Sequence, residues 1–201
     1  MKKSILLAFA LVGILAYGQQ NTTTADKGAV INGVKWATRN VATPGTFVAN
    51  PEDAGMFYQW NRKVAWPATG DVSNWNTTSP AGTAWEKAND PSPAGWRVPT
   101  SDEIETLLES DKVLYERTVV NGVNGGIFTD MATGNSIFLP AAGFRDNGDG
   151  SLILADENGD YWSSTQQERY TAYYLNSSSD SPGLLGDYRT YGLLVRPVVE
   201  N

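Results

Sequence analysis

Short runs in which apolar and polar residues alternate dominate the second half of the chain, and this period of two is typical of β-strands. Turn residues separate the runs, which read AAGFR, SLILA, DYWSS, RYTAYYL and YGLLVRPVV. Within RYTAYYL, every second residue is directed to the same side of a strand. The pattern therefore predicts several short antiparallel strands joined by loops.

Three turn signals are expected to join strands into hairpins. Asn32-Gly33 and Asn158-Gly159 each lie between two apolar runs, and the Asn-Gly pair favours the two-residue turn of a β-hairpin. A looser hairpin is predicted around residues 133–135, which read Thr-Gly-Asn.

A helical period occurs in one stretch, DPSPAGWRVPTSDEIETLL (Asp90–Leu108). Thr100 is a favourable N-cap, and Glu103, three residues later, completes a capping box. The apolar stripe consists of Ile104, Leu107 and Leu108. A helix that ends near Ser110 is predicted, and together with the strands it indicates one domain of the α+β class.

Residues 43–99 are rich in loops and contain a cluster of tryptophans, namely Trp60, Trp66, Trp75 and Trp85. Tryptophan in a long loop usually fixes the loop to the core, and this is the favoured interpretation. The alternative is a platform on which a sugar ring stacks.

The chain contains no cysteine and no histidine among its 201 residues. Disulfide frameworks, most zinc sites and the Ser-His-Asp and Cys-His nucleophile systems are therefore excluded. Oxygen ligands remain, which favour calcium, and no other cofactor is predicted. The calcium candidates lie in two turns and are Asp146, Asn147, Asp149 and Asp160. The alternative is that these side chains cap the backbone of glycine-rich turns.

The N-terminus has the pattern of a signal peptide. Lys2 and Lys3 precede an apolar run at Ile5–Ala16, and small residues follow at the cleavage site. We expect residues 1–18 to be removed, residues 19–28 to form a disordered N-terminus and residues 29–201 to form one domain. Because no cysteine follows the apolar run, we expect export to the periplasm, the cell surface or the medium rather than lipid anchoring.

The sequence has 15 basic and 22 acidic side chains and a net charge of −7, and removal of Lys2 and Lys3 makes the charge −9. Such a protein is repelled by the phosphates of nucleic acids and by anionic membranes, so neither is expected as a partner. No apolar run after residue 18 is long enough for a transmembrane helix.

The order of the local patterns resembles the Fibrobacter succinogenes major paralogous domain, a family of exported bacterial proteins common in Bacteroidetes. The matching segments between Val30 and Val198 are INGVKWATRNV, GMFYQWNRK, DPSPAGWRVPTSDEIETLL, LPAAGFRDNGDGSL, GDYWSST, AYYL and YRTYGLLVRPV. The residues that carry the signature are Trp36, Trp96, Arg97, Pro99, Thr100, Glu103, Trp162 and Arg196. The resemblance implies a C-type-lectin-like fold with paired N- and C-terminal strands and long ligand-bearing loops.

The chain departs from this family at several points. Family members often carry cysteine at the positions of Ser92 and Pro197. The family also resembles formylglycine-generating enzymes, whose activity relies on cysteines that this chain lacks. The EPN and WND triplets of calcium-dependent lectins are absent.

Trp162 is predicted to be a buried core residue, and contact with a sugar is its alternative role.

Ligand binding is expected on two polar loops, TQQERY (Thr165–Tyr170) and NSSSDSPGLLGDYR (Asn176–Arg189), which flank aromatic strands. The family resembles the variable proteins of diversity-generating retroelements, and this implies a binding surface on the C-terminal part. The candidate ligand-binding residues are Gln166, Gln167, Tyr170, Tyr173, Asn176 and Arg189. The alternative is a pair of solvated loops.

These features favour an exported, non-enzymatic module that binds a surface glycan or a protein, as in adhesion. A structural or assembly subunit of the envelope or of a surface appendage is the alternative. A carbohydrate-active enzyme with two carboxylates is least favoured, because no pair of acids stands out in the sequence.

Overall fold

The computed structural model of the protein describes residues 25–177 and 181–200, so the predicted signal peptide lies outside the described residues. These ranges contain one α-helix, α1 (Ser101–Leu107), one 3₁₀ turn (Lys87–Asn89) and 15 strands. The first strands are β1 (Ala29–Ile31), β2 (Val34–Trp36), β3 (Phe57–Gln59), β4 (Ala65–Trp66) and β5 (Trp96–Arg97). The next are β6 (Val113–Val120), β7 (Val123–Asp130), β8 (Ser136–Pro140), β9 (Phe144–Arg145) and β10 (Leu152–Ile153). The last are β11 (Asp160–Gln166), β12 (Thr171–Asn176), β13 (Gly183–Tyr188), β14 (Gly192–Leu193) and β15 (Val198–Val199).

The protein is predominantly β, so the predicted α+β class with a C-type-lectin-like fold is wrong. Strand residues make up 39% of the described chain and helical residues 6%. The physical reason is the length of the helical stretch. The seven residues of α1 complete about two turns, too little to form a layer against the sheets.

The strands of the described ranges form four sheets with antiparallel pairing between neighbours. Their orders are β1-β2-β15-β5, β10-β9-β14-β3-β4, β11-β12-β13 and β6-β7-β8. The N- and C-terminal strands meet in the first sheet, where Val198 of β15 pairs with Trp36 of β2. This pairing is one that the family resemblance implied.

Two of the three predicted hairpins form. Asn32-Gly33 joins β1 to β2 with φ angles of 43° and 84°, the positive values that a type I′ turn requires. Residues 131–135 join β7 to β8. The hairpin predicted at Asn158-Gly159 is wrong, because Gly159 bridges to Gly143 and its carbonyl accepts a hydrogen bond from Ser177 N. Tertiary pairing here overrides a local turn signal.

Helix α1 begins with the predicted capping box. Thr100 Oγ1 accepts a hydrogen bond from Glu103 N at 3.2 Å, and Glu103 Oε2 accepts one from Thr100 N at 2.8 Å. The same carboxylate accepts two hydrogen bonds from the Arg97 guanidinium, at 2.7 and 2.8 Å. Although burial opposes the shift, the bonds from Arg97 and Thr100 lower the pKa of Glu103. The helix ends at Leu107, three residues before the predicted Ser110.

We expect Glu103→Ala to lower the free energy of unfolding by about 1–2 kcal/mol, because it removes one half of the capping box and the partner of Arg97. Urea denaturation at neutral pH measures the change. Glu105→Ala, on the exposed side of the same helix, is the control and should cost less than about 0.5 kcal/mol. Equal losses for the two variants would contradict the assigned role.

Strand β11 lies between two hydrophobic clusters. Tyr161 packs in the cluster that contains Trp36 and Phe128, and Trp162 packs in the cluster that contains Trp60. Trp162 is therefore buried as predicted. Tyr161 points to the opposite face and is also buried, because the other cluster covers that face.

Asp26 belongs to the folded domain. Its carboxylate accepts hydrogen bonds from Gly28 N at 2.8 Å, from Thr38 and from Arg39 Nε at 3.1 Å. Although burial opposes the shift, these bonds lower the pKa of Asp26. The domain therefore includes residues 25–28, which the sequence had assigned to a disordered N-terminus. The rest of that predicted segment lies outside the described residues.

Three arginines are buried without a carboxylate partner among the described residues: Arg145, Arg189 and Arg196. Each guanidinium donates hydrogen bonds to backbone carbonyls from distant segments. Arg145 holds the carbonyl of Pro67 at 2.7 Å, and Arg196 holds that of Phe138 at 3.0 Å. These side chains therefore join loops and strands that are distant in the sequence.

Candidate functional site

A groove of about 400 Å³ lies beside the sheet of β11, β12 and β13. One wall is the 79–83 loop, and the other is the turn between β11 and β12. The bridge between Ala84 and Thr165 holds this loop next to the end of β11. The lining residues are Ser79, Pro80, Ala81, Gly82, Thr83, Gln166, Arg169, Tyr170 and Arg189. We call this site the Tyr170 groove.

Arg189 positions the 79–83 loop. It is 2% exposed, and its guanidinium lies 4.3 Å from the ring centroid of Trp60. It donates hydrogen bonds to the carbonyls of Gly82 at 2.8 Å and of Glu168 at 3.1 Å. One side chain thus ties both walls of the groove together. Arg189 was predicted to contact the ligand directly, but its donors are engaged by the protein itself.

Tyr170 is the aromatic residue of the groove. Its side chain lies immediately before β12 and is 50% exposed. The Arg169 guanidinium lies 5.0 Å from the ring centroid, within the range of a cation–π contact. Gln166, at the end of β11, contributes an amide to the same lining. Aromatic, cationic and amide groups therefore face one concave site.

The other three predicted ligand residues do not line this groove. The side-chain amide of Gln167 lies against Gly186, where it occupies the space that a Cβ would need. Tyr173 pairs with Gly186 in the middle of the sheet. Asn176 donates a hydrogen bond from Nδ2 to Asp160 Oδ1 at 2.6 Å. Of the six candidate ligand-binding residues, the structure thus brings together Gln166, Tyr170 and Arg189, and the other three lie outside the groove.

Sequence reasoning missed Arg169 and the 79–83 loop. Arg169 had a usable signal, because it directly precedes Tyr170 in TQQERY and an exposed Arg-Tyr pair is a common contact surface. The loop had none, since its SPAGT sequence shows no periodicity. Its position follows from the bonds of Arg189.

The acidic turn at residues 146–151 is internally bonded. Asp146 Oδ1 accepts a hydrogen bond from Gly148 N, and Asp149 Oδ1 accepts one from Ser151 N, both at 2.8 Å. The carbonyl of Asn147 accepts the indole N–H of Trp75 at 3.2 Å. No three carboxylates converge into a metal-binding group within the described residues. The calcium site at this turn and Asp160 stays a prediction.

Asp160 is buried, with 2% of its surface exposed. Burial raises the pKa of its carboxyl group to about 6, although hydrogen bonds from the Asn176 and Asn158 side chains oppose this shift. Asp160 is not among the groove-lining residues. Its titration therefore concerns the stability of the β11–β12 pair.

The tryptophans of the loop-rich segment act as anchors. Trp60 and Trp85 are buried in the hydrophobic cluster that also contains Trp162. Trp66 and Trp75 contact each other, with ring centroids 4.9 Å apart. The predicted role in fixing loops to the core is supported for these residues, and none of the four rings lines the Tyr170 groove.

Comparison with protein families, with curated proteins and with solved structures finds no match for this chain. Membership of the Fibrobacter succinogenes major paralogous domain family therefore stays a prediction from the motif order. Among the described residues, no helix has the length and apolar character needed to cross a membrane.

Proposed function

We propose that the protein is an exported, non-enzymatic binding module and that the Tyr170 groove binds a carbohydrate. The observation that carries this proposal is the half-exposed ring of Tyr170 inside a concave site. Sugar rings present C–H faces that pack on aromatic faces, and an aromatic body with a polar tip suits such a ligand. The volume of about 400 Å³ lies within the range of small-molecule sites.

Polar groups around Tyr170 complement the hydroxyl groups of a sugar. The Gln166 amide supplies a donor and an acceptor, and the Arg169 guanidinium supplies donors in a fixed fork. The hydrogen bond from Arg189 to the Gly82 carbonyl fixes the 79–83 loop, which forms the opposite wall of the groove. A wall that is fixed before binding lowers the entropy cost of binding.

We expect Tyr170→Ala to weaken glycan binding by roughly tenfold or more, because it removes the stacking surface and the support of Arg169. A glycan array identifies a ligand for the mature protein, and isothermal titration calorimetry measures the affinity of each variant. Circular dichroism verifies that each variant is folded.

Tyr188→Ala is the matched control. Tyr188 is 53% exposed, much like Tyr170, but it lies on β13 outside the groove lining. We expect its removal to leave the affinity unchanged. Full glycan affinity in Tyr170→Ala, or equal losses in both variants, would sink the assignment of the groove.

A second candidate function is assembly with other envelope proteins. Strand β13 pairs only with β12 among the described residues, so one of its edges is open. Leu185 and Tyr188 on this strand are exposed. An open edge with apolar side chains is a template for an added strand. Cross-linking in intact cells tests this reading: a defined protein partner at β13 favours assembly, and a free monomer disfavours it.

A further inference from the structure

The Tyr170 groove is positively charged in a negatively charged protein. Its lining contains two charged residues, Arg169 and Arg189, and no acid. The whole chain has 22 acidic and 15 basic side chains. Neither arginine forms an ion pair with a described residue. The groove therefore places positive charge on the surface of a protein whose net charge is negative.

Arg189 supplies a fixed cation beneath the groove. It is 2% exposed and bonded to carbonyl dipoles rather than to a carboxylate. An arginine keeps its charge at neutral pH. Because the charge is shielded from water, its field is screened less than that of an exposed side chain.

Arg169 supplies an exposed cation at the rim. Its guanidinium is held against the ring of Tyr170 at 5.0 Å, and it makes no hydrogen bond to a described residue. When the planar face of a guanidinium contacts a ring, its N–H groups can still donate hydrogen bonds to a planar anion. Two parallel N–H···O bonds to a carboxylate are the geometry that this edge matches.

We propose that the Tyr170 groove selects an acidic saccharide, one whose ring packs on Tyr170 and whose carboxylate binds Arg169. This inference rests on the proposed carbohydrate-binding function and narrows its ligand class. The carboxylate is the anion that we propose, because its two oxygens match the guanidinium edge, and a sulfate ester is the competing anion in the test.

The test is an array of uronic acid and sialic acid oligosaccharides, each printed beside its carboxyl-reduced neutral form and beside sulfated neutral sugars. The mature protein should bind at least one acidic member, and reduction of its carboxyl group should lower the affinity by about tenfold to a hundredfold. Added salt should weaken binding of the acidic form more than that of the neutral form.

Arg169→Gln should remove the preference for the acidic form: affinity for the acidic form should fall by at least about tenfold, and affinity for the neutral form, which loses only hydrogen bonds to hydroxyl groups, should fall much less. Lys35→Gln, which removes an exposed charge from β2 outside the groove, is the control and should keep the preference. Arg169→Lys should keep part of it, because the charge remains and the fork is lost.

The outcomes separate this inference from the proposed function. Equal binding of acidic and neutral forms, binding of neutral forms alone, or binding of sulfated sugars alone would overturn the acidic selectivity and leave carbohydrate binding standing. If the folded protein binds no member of this array and no member of the general glycan array, both the inference and the proposed function are overturned.

Discussion

Arg196→Met is expected to lower the free energy of unfolding by about 3 kcal/mol. Arg196 is fully buried, and its guanidinium donates hydrogen bonds to Asn40 Oδ1 at 2.8 Å, Ala37 O at 3.3 Å and Phe138 O at 3.0 Å. These acceptors come from the segment after β2 and from β8. Methionine fills similar space but leaves all three acceptors buried without a donor.

Two opposing effects decide the size of this loss. Burial lowers the pKa of Arg196 to about 10, so its charge persists at neutral pH at a desolvation cost that methionine would relieve. Each stranded acceptor costs about 1–3 kcal/mol. Three such acceptors outweigh the relief, so the variant is expected to be less stable.

Urea denaturation followed by tryptophan fluorescence measures the difference. Arg169→Met, at an exposed arginine, is the matched control and should change stability by less than about 0.5 kcal/mol. A midpoint for Arg196→Met equal to that of the unmodified protein would show that Arg196 does not link these segments.

Local signals were sufficient where the interacting groups lie within a few residues of one another. The capping box was predictable because Thr100 and Glu103 are three residues apart and its two hydrogen bonds join only these residues. The turn at Asn32-Gly33 was predictable for the same reason, since it needs only two positive φ angles. The acid that pairs with Arg97 is Glu103, only six residues away, yet this pair was not predicted from the sequence.

The groove depends on contacts that no local pattern reveals. Arg189 resembles an exposed ligand contact in the sequence, yet its acceptor Gly82 lies 107 residues away. Its burial follows only once β12 and β13 pair and the 79–83 loop docks. Likewise, the turn predicted at Asn158-Gly159 does not form a hairpin, because the Gly159 carbonyl accepts a hydrogen bond from Ser177 N.

The burial of both faces of β11 could not be predicted from the sequence either. An alternating strand predicts one covered face, but Tyr161 and Trp162 enter two different clusters. Which sheets cover a strand is a property of the whole fold. The predicted α+β class is wrong because the one well-marked helix has only seven residues, whereas 15 strands form within the described residues.

Asp160 makes stability depend on pH. Burial raises the pKa of its carboxyl group in the folded protein to about 6, compared with about 3.9 in an unfolded chain. Between these values the folded state keeps a proton that the unfolded state has released. The stability contributed by this proton is therefore full below pH 4, falls as pH rises and is lost above pH 6.

We expect Asp160→Asn to stabilise the protein at neutral pH, because the neutral amide carries no charge to desolvate. The variant should gain about 2–3 kcal/mol relative to the unmodified protein between pH 4 and pH 7. The amide oxygen still accepts the hydrogen bond that Asn176 Nδ2 donates to this position. The gain should therefore follow the titration of one buried group.

Chemical denaturation of both proteins at several pH values from 4 to 8 gives the difference directly. Other acids, such as Glu103 with its lowered pKa, lose stability as pH falls in both proteins and cancel in this difference. Asp111→Asn, at an exposed aspartate before β6, should show no comparable rise. If the difference between Asp160→Asn and the unmodified protein stays constant with pH, the buried carboxyl group is not protonated in the folded state near pH 5. Asp160 would then be charged within the β11–β12 pair.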